Sequence, residues 1–550
     1  MITSIITGVS RSTGIPVRGP KDLPVSRTAV PAVLIVGSTG ETPVVLMGET
    51  PMPRQERTMT QVNEQLFREM VQSVLEHVQK GWGSRAVPAA GKTAPAPVSA
   101  VTIGGVGPAG KFGQFTSVDE AVAAASAAQR ALMRRSMAQR EIVCGIIRRI
   151  CTERAAELGD MEYEETRIGH RPHKTEKMLA VGKIALGTEF MKTECFSGDH
   201  GITLEEHAPW GVIGVVTPVT HSLPTMANNA VNMIAAGNSL LVNPHPGGKK
   251  IAAHGAKLFN QAIYEKIGID NLICVITEPT LESAGEIFHH PGVKLLSITG
   301  GPGVVAAAMK SGKRAICAGP GNPPVVVDES ADIDNAARCI LEGASYDNNL
   351  LCLSEKEVFV VASVWDRMTA AMEAVGAVRL TEKQMDQLAA LAIESGKPGE
   401  HPHANRKFVG AEPQALASAI GLNVPAGCRM LFGATAGDHP FVQAEQMMPV
   451  MPFVKCESFE QAVEQACQAE HGFGHTAVIH SRLVDHMTYM GKAMDTTIFV
   501  KNGPSVAGNG GGGEGYGSYS IACSTGEGIA TPLTYTRLRR CVMVDNLRII

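Results

Sequence analysis

The sequence lacks several features that would assign a chain to a class directly. Its twelve cysteines include no Cys-x-x-Cys pair and no Cys/His cluster, which argues against a structural zinc site or a disulfide framework and fits a reducing interior. The net charge is −4, and without a run of Lys and Arg nothing indicates a nucleic-acid partner. No uninterrupted apolar run approaches the roughly 18 residues of a membrane helix, and the first residues carry no basic leader. We therefore expect a cytoplasmic protein that binds no metal, nucleic acid or membrane.

The composition is typical of a globular protein, with 44% hydrophobic and 19% charged residues. A chain of 550 residues is long enough for two or three domains. Residues 1–58 are rich in Pro, Gly, Thr and Val and show no helical periodicity. They predict a poorly ordered extension with one apolar strand, Ala32–Val36, and translation could start at either Met1 or Met59.

Residues 59–84 contain a predicted amphipathic helix at 62–80. Its apolar residues recur at spacings of three and four and form one stripe: Val62, Leu66, Phe67, Met70, Val71, Val74, Leu75 and Val78. Residues 85–112 contain several prolines among small residues and predict a semi-extended linker. The helix either folds back onto the body of the protein or lays its stripe on a partner, and a tethered helix favours the partner.

The body alternates short apolar strands with helices. Strands are predicted at 211–216, 239–242, 272–276 and 294–298. Helices between them imply parallel pairing with right-handed crossovers, the pattern of a doubly wound α/β domain. A second α/β unit begins at Pro323 and runs to about residue 500. Before the first strand, Ser117 and Glu120 predict a capping box at the start of a helix.

One cysteine, Cys352, lies in a stretch that suggests chemistry. It follows a glycine-rich strand-to-helix turn, Thr299–Gly303, where glycines permit close backbone approach and a helix N-terminus favours phosphate. A thiolate behind such a turn suggests attack on a carbonyl beside a nicotinamide. Polar residues before Cys352, and Lys356 after it, are expected to lower the pKa of the thiol. On these residues alone, a small buried cysteine without a catalytic role is the alternative.

Two further glycine-rich segments follow. Gly319, Gly321 and the intervening proline precede Cys352, and residues 503–517 contain seven glycines within 508–517. The second segment predicts a mobile loop, either a surface hairpin or a cover over a long ligand.

The chain resembles the aldehyde dehydrogenase superfamily, and within it the CoA-acylating acetaldehyde and propionaldehyde dehydrogenases of bacterial microcompartments. Five segments carry the resemblance in family order: Pro209–Pro218, Ala235–Ser239, Thr299–Gly303, Asp347–Glu357 and Glu445–Pro449. An arginine-rich strand at 536–544 also matches, so the resemblance spans about residues 113–550.

The resemblance implies an α/β fold with three parts. Residues 113–320 form a Rossmann-type cofactor-binding domain, with 195–209 contributing to oligomerisation, and residues 321–500 form the catalytic domain. Residues 501–550 hold the glycine-rich loop and an oligomerisation strand, whose exposed arginines predict an edge that pairs with another subunit. A homo-oligomer is expected, either a dimer or a tetramer.

The resemblance also implies roles for individual residues. Cys352 is the nucleophile, and its backbone N–H together with the side chain of His221 holds the oxyanion. The residues expected to contact the dinucleotide are Thr217, Pro218, Thr299, Gly300, Gly301, Gly303 and Glu445. Among them, Glu445 is expected to hold the nicotinamide ribose hydroxyls.

Three positions depart from the family pattern. Ala318 stands where hydrolytic relatives carry a general-base glutamate, which favours release of the acyl group to a thiol. His221 stands where acylating relatives carry Asn, so the charge of this donor is expected to depend on pH. Asn243 stands where a lysine commonly binds the adenosine ribose, so the sequence leaves the choice between NAD and NADP open.

We therefore expect a CoA-acylating aldehyde dehydrogenase that oxidises a short-chain aldehyde to acyl-CoA through a Cys352 thioacyl intermediate, with NAD as cofactor, NADP not excluded, and coenzyme A as co-substrate. Acetaldehyde, propionaldehyde and lactaldehyde remain open as substrates. The alternatives are a hydrolytic enzyme of the same fold and a catalytically silent cargo or scaffold protein. The helix at 62–80 is expected to bind a microcompartment shell or cargo protein, which places the enzyme inside such a compartment in the cytoplasm.

Overall fold

The computed structural model describes residues 111–396 and 401–550. The expected extension at 1–58, the helix at 62–80 and most of the linker lie outside these residues. Within the two described ranges, no helix has the length and apolarity needed to cross a membrane.

The strands are numbered here in chain order. They are β1 Gln114–Phe115, β2 Glu194–Gly198, β3 Gly201–Pro209, β4 Val212–Thr217, β5 Ser239–Pro244, β6 Ile273–Ile276, β7 Val293–Thr299, β8 Ala315–Ala318, β9 Pro324–Val327, β10 Glu357–Val361, β11 Val378–Leu380, β12 Ile393–Glu394, β13 His403–Ala404, β14 Leu431–Thr435, β15 Val450–Cys456, β16 Thr476–His480, β17 Ile498–Lys501, β18 Ile521–Ala522, β19 Gly528–Ile529 and β20 Thr536–Val544.

Helices connect most of these strands. The α-helices are Val118–Leu132, Met137–Glu153, Ala155–Thr166, Arg171–Ile184, Ser222–Ala235, Lys249–Ile267, Leu281–His289, Pro302–Met309, Ile333–Ser345, Trp365–Ala374, Glu382–Ala392, Pro413–Ala419, Pro440–Gln443, Phe459–Ala469 and Val484–Met494.

The first sheet is parallel throughout, in the order β1-β6-β5-β4-β7-β8. It confirms the four predicted strands within one or two residues, as β4, β5, β6 and β7. Its central strands read as continuous apolar runs because helices cover both faces. Strand β4 pairs with β5 on one side and with β7 on the other, so the order of the strands in the sheet reverses between β4 and β7. Such a switch point forms the crevice in which open α/β sheets bind ligands.

The second sheet is also parallel, in the order β11-β14-β15-β10-β9-β16-β17. Strands β9 and β10 lie near its centre, and every residue of both is buried. The loop that carries Cys352 leads directly into β10. The nucleophile loop is therefore fixed at its downstream end by a fully buried strand.

The predicted C-terminal strand is present as β20. It pairs antiparallel with β3 along all nine residues, in a three-stranded sheet with β2. After Thr536 its residues are exposed, and its other edge has no strand partner in the part of the chain that the structure describes. Pairing of this edge with another subunit stays a prediction.

The predicted capping box at Ser117 forms in one half only. The Ser117 hydroxyl accepts the backbone N–H of Glu120, so Ser117 is the N-cap as expected. The Glu120 carboxylate does not return the bond, because it accepts from the Lys111 ammonium at 2.6 Å instead. The box prediction is therefore wrong for Glu120.

Candidate active site

Two cavities, of about 350 and 530 Å³, meet at Cys352 and His221, which line both. The smaller is named here the turn-side cavity, because the turns after β4 and β7 line it. The larger is named the helix-side cavity, because the helix Arg171–Ile184 forms one of its walls. A group bound in either cavity is therefore next to the same cysteine.

The turn-side cavity collects most of the expected cofactor-binding residues. Strands β4 and β7 are neighbours in the sheet, so the turns that follow them lie side by side. The lining includes Thr217, Pro218, Thr299, Gly300, Gly301 and Glu445. Gly303 is not part of this lining, because it lies on the exposed first turn of the helix Pro302–Met309.

The residues at this cavity fit a dinucleotide. The backbone at Gly300 and Gly301 leads into a helix N-terminus, which favours an anionic phosphate. The Thr217 hydroxyl is buried without a hydrogen-bond partner in the described chain, and Glu445 adds a carboxylate suited to sugar hydroxyls. A free hydroxyl, a carboxylate and a helix N-terminus together provide the hydrogen-bonding groups that a nucleotide requires.

The loop before Cys352 has an uncommon backbone. Asp347, Asn348 and Asn349 have φ angles of 47°, 53° and 65°. These values lie in the left-handed region, which residues other than glycine adopt at a cost. Side-chain hydrogen bonds hold this shape. The Asn348 amide donates to the Gly410 carbonyl at 3.0 Å, and the Asn349 amide donates to the carbonyls of Ala344 and Glu355, both at 2.8 Å. The position of the nucleophile is therefore set by side chains rather than by backbone preference.

Lys356 supports this loop, whereas the sequence suggested that it activates the thiol. Its buried ammonium donates to the Asn349 carbonyl at 3.1 Å, to the Asn349 side-chain oxygen at 2.5 Å and to the Leu351 carbonyl at 3.0 Å. Burial raises the pKa of Cys352 to about 12, with Glu445 raising it further and Lys356 opposing. The expectation of a lowered thiol pKa is therefore wrong, and the thiol must lose its proton when it attacks.

Glu445 is the ionisable group that faces this thiol from the turn-side cavity. Burial raises the pKa of its carboxyl to about 7, while Lys356 and the backbone N–H of Gly321 oppose that rise. At neutral pH the carboxyl group is therefore divided between its charged and neutral forms. It can accept hydrogen bonds from ribose hydroxyls in the charged form.

The segment before β9 contributes two further residues. Ala318 ends β8 and lines the turn-side cavity with a methyl group where a base is needed to activate water. Gly321 lies so close to the nucleophile that an added Cβ would be 2.5 Å from the Cys352 carbonyl oxygen and 2.9 Å from Cγ of His475. The glycine cluster is visible in the sequence, but the role of Gly321 is not. The type of the residue does not show which distant backbone it contacts.

His221 lines both cavities together with Cys352, and its role as the oxyanion donor stays a prediction. It is buried immediately before the helix Ser222–Ala235, and its Nδ1 has no hydrogen-bond partner among the described residues. Burial, followed by the charges of Lys177 and Lys174, holds the pKa of His221 well below its ordinary value, with Asp347 opposing. The expectation that its charge changes near neutral pH is therefore wrong. The lowered pKa favours the neutral form of the imidazole.

The helix-side cavity has a mostly apolar wall. The apolar lining residues are Leu179, Ala180, Ile184, Leu351, Leu353, Val506 and Ile521. Four charged residues also line it: Glu176, Lys183, Glu342 and Arg429. An apolar wall of this size beside Cys352 suits a short aliphatic aldehyde.

The glycine-rich segment at 503–517 borders this cavity through Gly510 and Gly511. Hydrogen bonds anchor it at two points. The backbone N–H and hydroxyl of Ser505 both donate to the buried Glu355 carboxylate at 2.7 Å, and Asn509 exchanges hydrogen bonds with Ser518 at 3.0 and 2.9 Å. These bonds fix the base of the segment, and the mobility of its exposed tip at 511–516 stays a prediction.

Residues 98–392 match the model of the aldehyde dehydrogenase family. The acetaldehyde dehydrogenase (acetylating) of Salmonella typhimurium is 44% identical over 441 residues, which cover 80% of this chain and 94% of the relative.

Two solved structures share the fold. A propionaldehyde dehydrogenase from the Clostridium phytofermentans fucose utilisation bacterial microcompartment has 41% identity and a TM-score of 0.77, covering 80% of this chain and 100% of that one. The Rhodopseudomonas palustris propionaldehyde dehydrogenase, solved with bound CoA and an acylated cysteine, has 39% identity and a TM-score of 0.77, covering 79% and 98%. The family match and these long alignments establish that the chain belongs to the aldehyde dehydrogenase family.

Proposed function

We propose that this protein is a CoA-acylating aldehyde dehydrogenase that converts a short-chain aldehyde and CoA into acyl-CoA with reduction of a nicotinamide cofactor. The observation that carries the proposal is the position of Cys352 at the junction of two cavities, with Ala318 nearby in place of a base. The relatives named as acetylating, and the neighbour solved with CoA and an acylated cysteine, support the same activity.

The first step forms a bond between the Cys352 sulfur and the aldehyde carbon. The aldehyde enters by the helix-side cavity, the Cys352 thiol gives up its proton to solvent, and the sulfur attacks the carbonyl carbon. The carbonyl oxygen becomes an oxyanion that accepts hydrogen bonds from the Cys352 backbone N–H and from the neutral imidazole of His221. Because His221 is already buried and uncharged, it needs no reorganisation to serve as this donor.

The second step oxidises the thiohemiacetal on Cys352 to a thioester. When bound, a nicotinamide cofactor would accept the hydride, and the residues of this chain would supply its placement. Glu445 and the turn at Gly300–Gly301 line the turn-side cavity and would hold the dinucleotide there, next to Cys352. Collapse of the oxyanion to a carbonyl balances the loss of hydride.

The third step transfers the acyl group to CoA. The CoA thiolate adds to the thioester carbon, the oxyanion forms again at the same donors, and the Cys352 thiolate leaves. This step needs no general base because a thiol ionises far more readily than water. Ala318 leaves water without such a base, which favours acyl-CoA over the free acid.

We propose NAD as the preferred cofactor. Within the described chain, neither Lys nor Arg lines the turn-side cavity, so nothing there pairs with a 2′-phosphate. Asn243 is occupied, since its amide donates to the Thr280 carbonyl at 3.2 Å and its oxygen accepts from the Ser283 hydroxyl at 2.7 Å. A kcat/KM at least tenfold higher for NAD than for NADP would support this choice, and equal values would contradict it.

The decisive experiment follows aldehyde-dependent NADH formation with and without CoA and identifies the product. An acylating enzyme needs CoA for steady turnover and makes acyl-CoA. Equal steady rates without CoA, with free acid as product, would assign the hydrolytic alternative. Absence of turnover under both conditions would favour a silent cargo or scaffold protein.

We also propose that the helix at 62–80 directs the enzyme to a microcompartment shell or to another cargo protein. An isolated helix of this length is marginal in water, so its apolar stripe needs a partner surface. The Clostridium phytofermentans neighbour, which comes from a microcompartment, supports this placement. Deletion of residues 1–84 should leave activity unchanged and abolish co-purification with shells. Retained co-purification would place the targeting signal elsewhere.

A further inference from the structure

Two lysines, Lys174 and Lys177, are buried behind His221 and have no part in the steps above. Both lie on the helix Arg171–Ile184, and neither lines either cavity. Their side chains are 1% exposed, and the carboxylate of Asp347 that they share is 0% exposed. Two buried lysines one helical turn apart require a specific set of partners, because an unpaired buried charge is costly.

Their partners belong to the two segments that carry the proposed chemistry. The ammonium groups of Lys174 and Lys177 donate to the Thr220 carbonyl at 3.0 and 3.3 Å. Each also donates to Oδ2 of Asp347, from Lys174 at 3.0 Å. Thr220 immediately precedes His221, and Asp347 begins the left-handed loop that ends at Cys352. The two lysines thus join the oxyanion-side residue to the nucleophile loop.

Further contacts, with residues 169–173, also hold Asp347 in place. It accepts the backbone N–H of His170 at 2.8 Å, and its own N–H donates to Nδ1 of His173 at 2.8 Å. Its Oδ1 fits against Gly169, where an added Cβ would lie 2.3 Å away. This carboxylate therefore has little freedom to follow a displaced lysine.

Glu162 completes the cluster. Its carboxylate accepts the N–H groups of Ser222 and Leu223 at 3.1 and 3.4 Å, at the start of the helix that follows His221. The charges of Lys174 and Lys177 act on it across the cluster. The segment Thr220–Leu223, which contains His221, therefore bonds to two lysines at the Thr220 carbonyl and to one carboxyl group at the N–H groups of Ser222 and Leu223.

We propose that Lys174 and Lys177 are positioning residues that fix His221 relative to Cys352, through the Thr220 carbonyl and the Asp347 carboxylate. This role rests on the proposed function, because the position of His221 matters only when an oxyanion forms on Cys352. The lysines touch no substrate and act through His221.

A double-mutant cycle tests this role. The variants are Lys177→Met, His221→Ala and the two combined, with the exposed Lys257→Met on the helix Lys249–Ile267 as control. The rate of NADH formation in a single turnover and the KM values for aldehyde and NAD are measured. Loss of a preorganised donor costs about 10²–10³ in rate, so partial misplacement in Lys177→Met should cost about tenfold, with both KM values changed less than about twofold.

The combined variant shows whether Lys177 positions His221 or only stabilises the fold. If Lys177 acts through His221, adding Lys177→Met to His221→Ala lowers the rate no further. Multiplied losses, or a loss that appears mainly in KM, would show support of the fold and overturn the proposal. A rate for Lys177→Met equal to that of Lys257→Met would also overturn it.

A second variant covers the case in which the loss of one of the two lysine partners of Asp347 in Lys177→Met prevents folding. Lys177→Met/Asp347→Asn removes one charge of each sign and should fold, with the same rate loss and the same lack of effect in the His221→Ala background. Wild-type rates or multiplied losses in this pair would overturn the proposal. A wild-type enzyme that forms no acyl-CoA would instead refute the proposed function, and a His221→Ala variant with wild-type rates would refute the oxyanion role alone.

Discussion

The backbone of Gly321 lies against the carbonyl of Cys352. An added Cβ at Gly321 would be only 2.5 Å from that carbonyl oxygen, closer than any real Cβ contact. This contact fixes the peptide on the downstream side of the nucleophile, as the left-handed residues fix the upstream side. Of the two glycine-bearing segments before Cys352, this one contacts the nucleophile's own backbone, whereas Gly300 and Gly301 of the other line the turn-side cavity.

The first prediction follows from this contact. Gly321→Ala should lower kcat at least about tenfold, because a shift of the reacting atom by about 1 Å can cost 10²-fold in rate. Gly145→Ala is the matched control, since nothing lies within 4 Å of an added Cβ there. Steady-state kinetics and thermal melting of both variants check this, and wild-type kcat in Gly321→Ala would contradict it.

The second prediction concerns the nucleophile. Cys352→Ala should abolish aldehyde-dependent NADH formation and leave NAD binding unchanged, because the cysteine is separate from the turn at Gly300. The exposed Cys195→Ala should behave as the wild type. Kinetics and NAD titration by fluorescence measure both effects. Appreciable turnover by Cys352→Ala would remove this thiol from the mechanism.

The third prediction concerns the form in which His221 acts. Since burial holds its pKa well below the ordinary value, the ring is neutral throughout the neutral range and contributes no change in rate there. His221→Asn should keep most of the activity, with a pH profile parallel to that of the wild type, and His221→Ala should lose about tenfold or more. A change in the wild-type rate between pH 6 and 7 that is absent from His221→Asn would contradict a neutral imidazole.

The fourth prediction concerns Glu445. Because its pKa is raised to about 7, the carboxylate form grows as pH rises through that value, and NAD binding should strengthen in the same direction. Glu445→Gln should raise the KM for NAD about tenfold, the loss expected for hydrogen bonds to a charged group, and remove this pH dependence. KM for NAD measured from pH 6 to 8 checks it, and an unchanged profile in Glu445→Gln would assign the dependence to another group.

The fifth prediction concerns the choice between thiol and water. Ala318→Glu should increase the formation of free acid when CoA is absent, because it adds a carboxylate beside the thioester. Ala318→Gln has nearly the same size without the base and should not. Product analysis by chromatography distinguishes them. Equal acid formation by both variants would show that the absence of a base does not limit hydrolysis.

Much of the fold was readable because apolar runs and helical spacing are local. The predicted strands agree with β4 to β7, and helices lie between them as predicted. The motifs also brought Cys352, His221 and the turn residues to one site, because the carboxyl ends of neighbouring parallel strands lie together.

The charge states at the site could not be predicted. Lys356 next to a cysteine suggests activation, but whether a thiol ionises depends on burial, which only the tertiary structure sets. Lys174 and Lys177 are ordinary polar residues in a helical pattern with no marked apolar stripe. Nothing local shows that they face inward, because their partners are Asp347, far along the chain, and a backbone carbonyl.

The left-handed stretch Asp347–Asn349 has a consequence for the order of folding. Its shape depends on groups far away in the sequence, since Asp347 meets Lys174 across 173 residues and Asn348 meets Gly410 across 62. A chain that has formed its strands but has not yet brought these segments together has no reason to hold the loop in this disfavoured conformation. We therefore expect the loop before Cys352 to take its final geometry only after these segments have met, so that a partly folded chain lacks the arrangement proposed for attack on an aldehyde.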